Sequence, residues 1–170
     1  MSKAVICAYA RTPQGKFRGA LSNYSATELG SKVVKNLMER VNLDPESGIV
    51  DQVYMGQVLQ AGSGQAPARQ VAINAGLPYS TPCTTINKVC GSSLKAVMIA
   101  ASDIISGHAN VVIAGGMESM SNAPYFIQNV NKGEYAAVPG IPQLRNAISK
   151  YNKHYFGIDV APERIYVGPG

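Results

Sequence analysis

Two hydrophobic periods alternate along residues 1–120 and lay out the expected elements. Residues 4–8 (AVICA) form a short apolar run, and Thr12, Pro13, Gly15 and Gly19 then break it, as in a strand followed by a long loop. Ser25 stands three residues before Glu28, a capping-box spacing. Leu29, Val33, Leu37 and Val41 follow at intervals of four, with Val34 and Met38 beside them. This spacing predicts an amphipathic helix over residues 27–40. Residues 52–59 (QVYMGQVL) alternate apolar with polar or small positions, which predicts a strand. Pro67 suits the first turn of a second helix, ending near Gly76, Leu77 and Pro78. Residues 84–88 read as a short third strand. Residues 92–106 read as a third helix, with Gly107 as its stop. Apolar and small side chains run nearly all the way round that helix, so it is expected to be the most buried of the set. Residues 111–116 (VVIAGG) are apolar throughout, as in a strand covered on both faces.

Strands and helices in this alternation predict an α/β fold of βαβαβαβ order, with a mainly parallel or mixed sheet around a buried central helix. The pattern changes near Asn129, which divides the chain into residues 1–128 and a tail of residues 129–170. Within the tail, residues 144–155 predict another amphipathic helix, and Ile165, Tyr166 and Val167 a strand.

Composition narrows the class. Of the 170 residues, 46% are apolar and 15% charged, against a usual charged share of about 25%. Disorder, a collagen repeat and a disulfide mini-scaffold are excluded, and so little charge points to hidden surface. The net charge of +5 comes from singly scattered Lys and Arg, with no run suited to nucleic acid. No segment is expected to span a bilayer, and residues 4–10 are too short for a signal-peptide core. Cys7, Cys83 and Cys90 are odd in number and lack a zinc-type pair. They read as reduced thiols, so the expected location is cytoplasmic.

The sharpest chemical feature is Asn87-Lys88-Val89-Cys90-Gly91-Ser92-Ser93. It puts a cysteine at a strand-to-helix junction, where the helix dipole and unpaired N–H groups favour a thiolate. Gly91 and the two serines leave room for a substrate, and the same N–H groups suit an oxyanion. Position alone leaves two readings of Cys90, a nucleophile or an inert buried thiol. Two glycine-rich stretches, residues 60–65 and 115–121, flank helices or strands. The first sits where a phosphate cradle could, but it matches neither the Walker nor the dinucleotide fingerprint and reads more simply as a connection.

These residues resemble the amino-terminal half of a thiolase of the acetyl-CoA acetyltransferase type. Arg11-Thr12-Pro13 with Gly15, Phe17 and Gly19 resembles the family's opening motif. Residues 56–77 (GQVLQAGSGQAPARQVAINAGL) resemble its second signature, residues 87–93 its active-cysteine motif, and residues 114–125 (AGGMESMSNAPY) the segment after the fourth strand. The resemblance implies that Cys90 accepts an acyl group from an acyl-CoA. The acyl-enzyme then condenses with acetyl-CoA, or the reverse reaction splits a 3-oxoacyl-CoA. It implies no metal and no organic cofactor, only coenzyme A thioesters as substrates. It also implies a homo-oligomer, dimer or tetramer, with residues 84–87 at or near the contact. Neither nucleic acid nor membrane is an expected partner, and no substrate-binding residue is assigned.

The sequence departs from that family in its second part. The family's G-H-P histidine and C-x-G cysteine motifs are absent, since the only histidines are His108 and His154 and no cysteine follows Cys90. His108 reads as a dipole partner at a helix end and His154 as solvent-facing. Residues 135–170 instead resemble an early segment of class I pyridoxal-phosphate aminotransferases, without the Schiff-base lysine. The expectation is an incomplete thiolase chain. The alternatives are a non-catalytic hybrid or truncated fragment, and an aminotransferase-related fragment.

Overall fold

The computed structural model describes residues 3–124 and 142–165. The chain divides into two compact units, Met1–Ala123 and Pro124–Gly170. The sequence boundary at 128/129 lies outside the described residues.

In the first unit, α1 spans Ala26–Arg40 and starts where the capping box predicts. Ser25 Oγ accepts from the Glu28 N–H (3.2 Å), and Glu28 Oε2 accepts from the Ser25 N–H (2.7 Å). The bonds from Ser25 hold the Glu28 carboxyl below the usual range. The buried stripe is Ala26, Gly30, Val34 and Met38, with Thr27 and Ser31 beside it. This lies one position round from the stripe the large apolar residues suggest, and Val41 is exposed. Small residues explain the offset. A Cβ on Gly30 would lie 2.8 Å from Val71 Cγ2, so only glycine lets α1 approach α2 (Pro67–Asn74) this closely.

Three strands follow, β1 (Gln52–Gly56), β2 (Cys83–Ile86) and β3 (Val112–Gly116), in the order β2-β1-β3. All pairings are parallel, with Gly56 level with Ile86 on one side and Gly116 on the other. The sheet is therefore parallel throughout the described residues rather than mixed. Val53, Met55 and Ile113 share a core with Val34, Met38, Val71 and Ala72 of α1 and α2. Side chains alternate across a strand, so Tyr54 faces the other way, and its hydroxyl donates to Asp103 Oδ2 of α3 (Ser92–Ser106) at 2.6 Å.

Three expectations fail against the structure. Residues 4–8 form no strand. Val5, Ile6 and Tyr9 are exposed, and the segment joins none of the three ladders. The third helix is not the most buried element. Ala96 and Ala100 face the sheet, while Leu94 (65% exposed), Met98 (55%) and Ile105 (54%) face outward. A helix with apolar residues all round needs neighbours on both sides, and the unit supplies one, the sheet. Val89–Ser106 is also long and apolar enough to cross a membrane by length and composition, contrary to the sequence expectation. Asp103 within it is bonded to Tyr54, as befits a helix seated on a sheet.

The second unit contains α4 (Pro142–Phe156), where an amphipathic helix is predicted. Ser149 Oγ donates to the Val160 carbonyl at 2.6 Å, and Val160 and Ile165 are buried. Tyr166 and Val167 of the expected strand lie outside the described residues.

Candidate active site

Parallel α/β sheets place chemistry at the carboxyl ends of their strands, and here three loops meet at that edge. β1 runs into Gln57-Val58-Leu59, β2 into Asn87 to Gly91, and β3 into Met117-Glu118-Ser119. The two strand-end glycines make room for α3. A Cβ on Gly56 would lie 2.6 Å from Ser92 C and Ser93 N, and one on Gly116 would lie 2.6 Å from Ser93 Cβ. The stretch around residues 115–121 is thus a seat for a helix terminus.

Cys90 stands on this edge and is exposed. It immediately precedes Gly91, the N-cap of α3, which makes no side-chain capping bond. Of the two readings left open by position, exposure favours the nucleophile over the buried thiol. Val89, just before it, has φ +48°. Its N–H donates to Asn87 Oδ1 (3.0 Å), and its carbonyl accepts from Ser92 Oγ (2.6 Å). Ser92 Oγ in turn accepts from the Lys88 N–H (2.9 Å). Asn87 Nδ2 donates to the Val58 carbonyl (3.3 Å), and the Glu118 carboxylate accepts from the N–H groups of Val58 (2.9 Å) and Leu59 (3.3 Å). Sequence reasoning singled out Cys90 and missed the parts played by Asn87, Ser92 and Glu118. An Asn two residues before a residue of positive φ is an Asx-turn signal, whereas nothing in the sequence joins Glu118 to Val58.

The other candidates lie elsewhere. Cys83 is half-buried, its thiol donates to the Thr81 carbonyl at 3.2 Å, and burial pushes it up against a smaller opposing pull from Arg69. Cys7 is exposed in the amino-terminal segment. His108 follows the carboxyl end of α3, bonded to Ser106 Oγ at 2.8 Å. Fifteen residues at about 1.5 Å each put that end about 22 Å from the Cys90 end, so His108 cannot exchange a proton with Cys90. His154 is exposed on α4, edge-on to Tyr155. The loop over residues 60–65 is pinned by glutamine amides, since Gln70 Nε2 donates to the Ser63 and Gln65 carbonyls and Gln57 Nε2 to Ser63 Oγ. It borders a pocket of about 260 Å³ lined by Ser25, Thr27, Gln57, Ser63, Gln70 and Asn122 among others, with no basic side chain. These bonds make the loop a pinned connection, as its sequence suggests. Among the described residues, no three His, Cys, Asp or Glu side chains gather as metal ligands would.

Fold and site together define an α/β protein with an accessible cysteine at the carboxyl edge of a parallel sheet, ahead of a helix start. The chain belongs to the thiolase family. Residues 4–145 match the family model described as thiolase, N-terminal domain. A mitochondrial acetyl-CoA acetyltransferase of Bos taurus is 46% identical, over 92% of this chain and 37% of its own length. An acetyl-CoA acetyltransferase of Cupriavidus necator is 54% identical, over 78% of this chain and 33% of its own. Among solved structures, the Acat5 thiolase of Ascaris suum in complex with coenzyme A superposes with a TM-score of 0.66 at 42% identity, covering 75% of this chain and 32% of the other. The chain thus spans about a third of the length of these relatives.

Proposed function

We propose that this chain carries the acyl-accepting cysteine of a thiolase-type acetyl-CoA acetyltransferase. The observation that carries the reading is Cys90, exposed beside the start of α3 in a member of this family. The Cys90 sulfur attacks the thioester carbonyl of an acyl-CoA. A new carbon–sulfur bond forms, the bond to the CoA sulfur breaks, and CoA takes the thiol proton as it leaves. The positive end of α3 favours both the thiolate and the oxyanion formed on the way. The acyl group then condenses with acetyl-CoA, or the reverse reaction cleaves a 3-oxoacyl-CoA. The scheme calls on CoA thioesters as substrates and on no metal or organic cofactor.

Acylation and turnover make separate demands. A full turnover needs a base for the acetyl-CoA methyl group and a group that takes the Cys90 proton at acylation and returns it at condensation, and general acid–base help is worth about 10²–10⁴-fold. His108 stands at the wrong end of α3 for either task. The 170 residues by themselves are therefore expected to take up label at Cys90 and to turn over negligibly. Iodoacetamide at neutral pH, mapped by peptide mass spectrometry, is expected to modify Cys90 ahead of Cys7 and Cys83, and acetyl-CoA to leave an acetyl group on Cys90. Equal labelling of all three thiols would overturn the reactivity, and brisk acetoacetyl-CoA cleavage that Cys90→Ala abolishes would overturn the turnover statement.

The same reading includes a homo-oligomer and surroundings that keep three thiols reduced, as in the cytosol. Several similar relatives are named mitochondrial, and fractionation of the source cells distinguishes the two locations. For residues 135–170 two origins compete, an aminotransferase segment and a thiolase one, and aminotransferase activity is proposed for neither. Alignment with the Bos taurus relative covers 92% of the chain, more than residues 1–128 supply, which favours a tail that belongs to a thiolase. A coding region that runs on past Gly170 into a domain bearing a Schiff-base lysine would favour the aminotransferase instead.

A further inference from the structure

The turn that delivers Cys90 is held in a conformation its own residues disfavour. Val89 has φ +48°, a region where a β-branched side chain is a genuine outlier. Its side chain is 65% exposed, so packing of the valine does not hold it there. Hydrogen bonds from two neighbours do. Asn87 Oδ1 takes the Val89 N–H, and Ser92 Oγ donates to the Val89 carbonyl, beside the Ser92 N–H at 3.1 Å, while accepting from the Lys88 N–H. Ser92 is 4% exposed and is wedged against the end of β1, where a Cβ on Gly56 would come within 2.8 Å of its own Cβ. Asn87 is tied down as well, through Nδ2 to the Val58 carbonyl, and Val58 is held by Glu118. One line of bonds thus runs from the loop after β3, through the loop after β1, to the turn after β2.

We propose that Asn87 and Ser92 are positioning residues for Cys90: together they keep Val89 left-handed and so fix the thiol at the positive end of α3. This rests on Cys90 being the acyl acceptor. If Val89 relaxed to negative φ, the peptide leading into Cys90 would rotate and the sulfur would leave the helix start. The clamp therefore sets where the Cys90 sulfur sits at the start of α3, and not only how stable the turn is.

The test uses the full 170-residue chain, with iodoacetamide labelling of each cysteine followed from about pH 6 to 9. Asn87→Ala and Ser92→Ala are each expected to slow Cys90 labelling about two- to fivefold at neutral pH, the size of a lost helix-terminus interaction. They should also move its pH profile upward while Cys7 stays unchanged. Asn87→Ser, whose hydroxyl still accepts from the Val89 N–H, is expected to recover most of the loss. Val89→Gly is expected to raise the melting temperature and to shrink the thermal cost of Ser92→Ala, because glycine needs no clamp at positive φ. Should Ser92→Ala alone fail to fold, the Val89→Gly/Ser92→Ala pair and Asn87→Ala carry the comparison. Alanine variants that lose stability while Cys90 keeps its wild-type profile would overturn the proposal, and so would a Val89→Gly variant that melts lower. The acyl-acceptor reading fails separately, on wild-type Cys90 that takes no acetyl group from acetyl-CoA; the clamp is read from the ratio of variant to wild type.

Discussion

Gly56 and Gly116 matter at this edge because a helix begins where their side chains would be. Their neighbour Gly115 gives the contrast, since a Cβ there would lie 3.8 Å from Met55 Sδ, an ordinary contact. Gly56→Ala is expected to cost about 1–3 kcal/mol by forcing backbone apart, read as a lower urea midpoint, and Gly115→Ala to stay near wild type. Equal midpoints for the two would remove the steric account. At this scale the sequence is legible where chemistry is carried by one residue in a local pattern. Cys90 before Gly91-Ser92-Ser93 announces itself. The purpose of Gly56 does not, because the atoms it spares belong to a helix 36 positions further on. Glu118 is hidden for the same reason: its partners are backbone N–H groups 59 and 60 positions away.

Between elements, the periodic ones were readable and the partner-dependent ones were not. α1, α2, β1, β2, β3 and α4 form close to where the pattern predicts them, since capping and periodicity are local. Residues 4–8 carry a strand's composition, but a strand exists only against an edge that accepts it, and the apolar circumference of α3 tells of neighbours without supplying them. What fastens α3 to β1 is likewise invisible to periodicity. The Tyr54 hydroxyl is bonded to Asp103, and that hydrogen bond, with burial and the carboxylate charge behind it, pushes the tyrosine up to about 12. A raised value in the folded state means the protonated form is the one the fold favours. The contribution is therefore complete below about pH 10, the ordinary tyrosine value, and is lost as pH climbs from there through about 12. Tyr54→Phe is expected to lower stability at neutral pH by about 1 kcal/mol, since the pair is only part-buried, and to flatten the alkaline decline over that window. Urea titrations at neutral and alkaline pH measure both, and an unchanged alkaline decline in Tyr54→Phe would assign it to other groups.

For the first unit as a whole, the unspent resource is apolar surface. Leu94, Met98 and Ile105 recur on one side of α3 at intervals of four and seven, and each is more than half exposed. Full burial is worth about 1.5–3 kcal/mol for each such side chain, while an exposed apolar patch of this kind marks an interaction surface. The low share of charged residues, 15%, points the same way. Two faces compete for the contact in the proposed homo-oligomer, the open edge of β2 near Cys83 and the outer side of α3. Self-association is expected at micromolar concentration by light scattering, and a monodisperse monomer there would count against it. Leu94→Lys with Met98→Lys separates the two faces. If α3 makes the contact, the charges repel across it and the species becomes monomeric, with little loss of stability, because both positions already face solvent in the isolated unit. If β2 makes it, the double variant associates as before, and Cys83→Pro, which removes an N–H from the side of β2 turned away from β1, is the change that dissociates it.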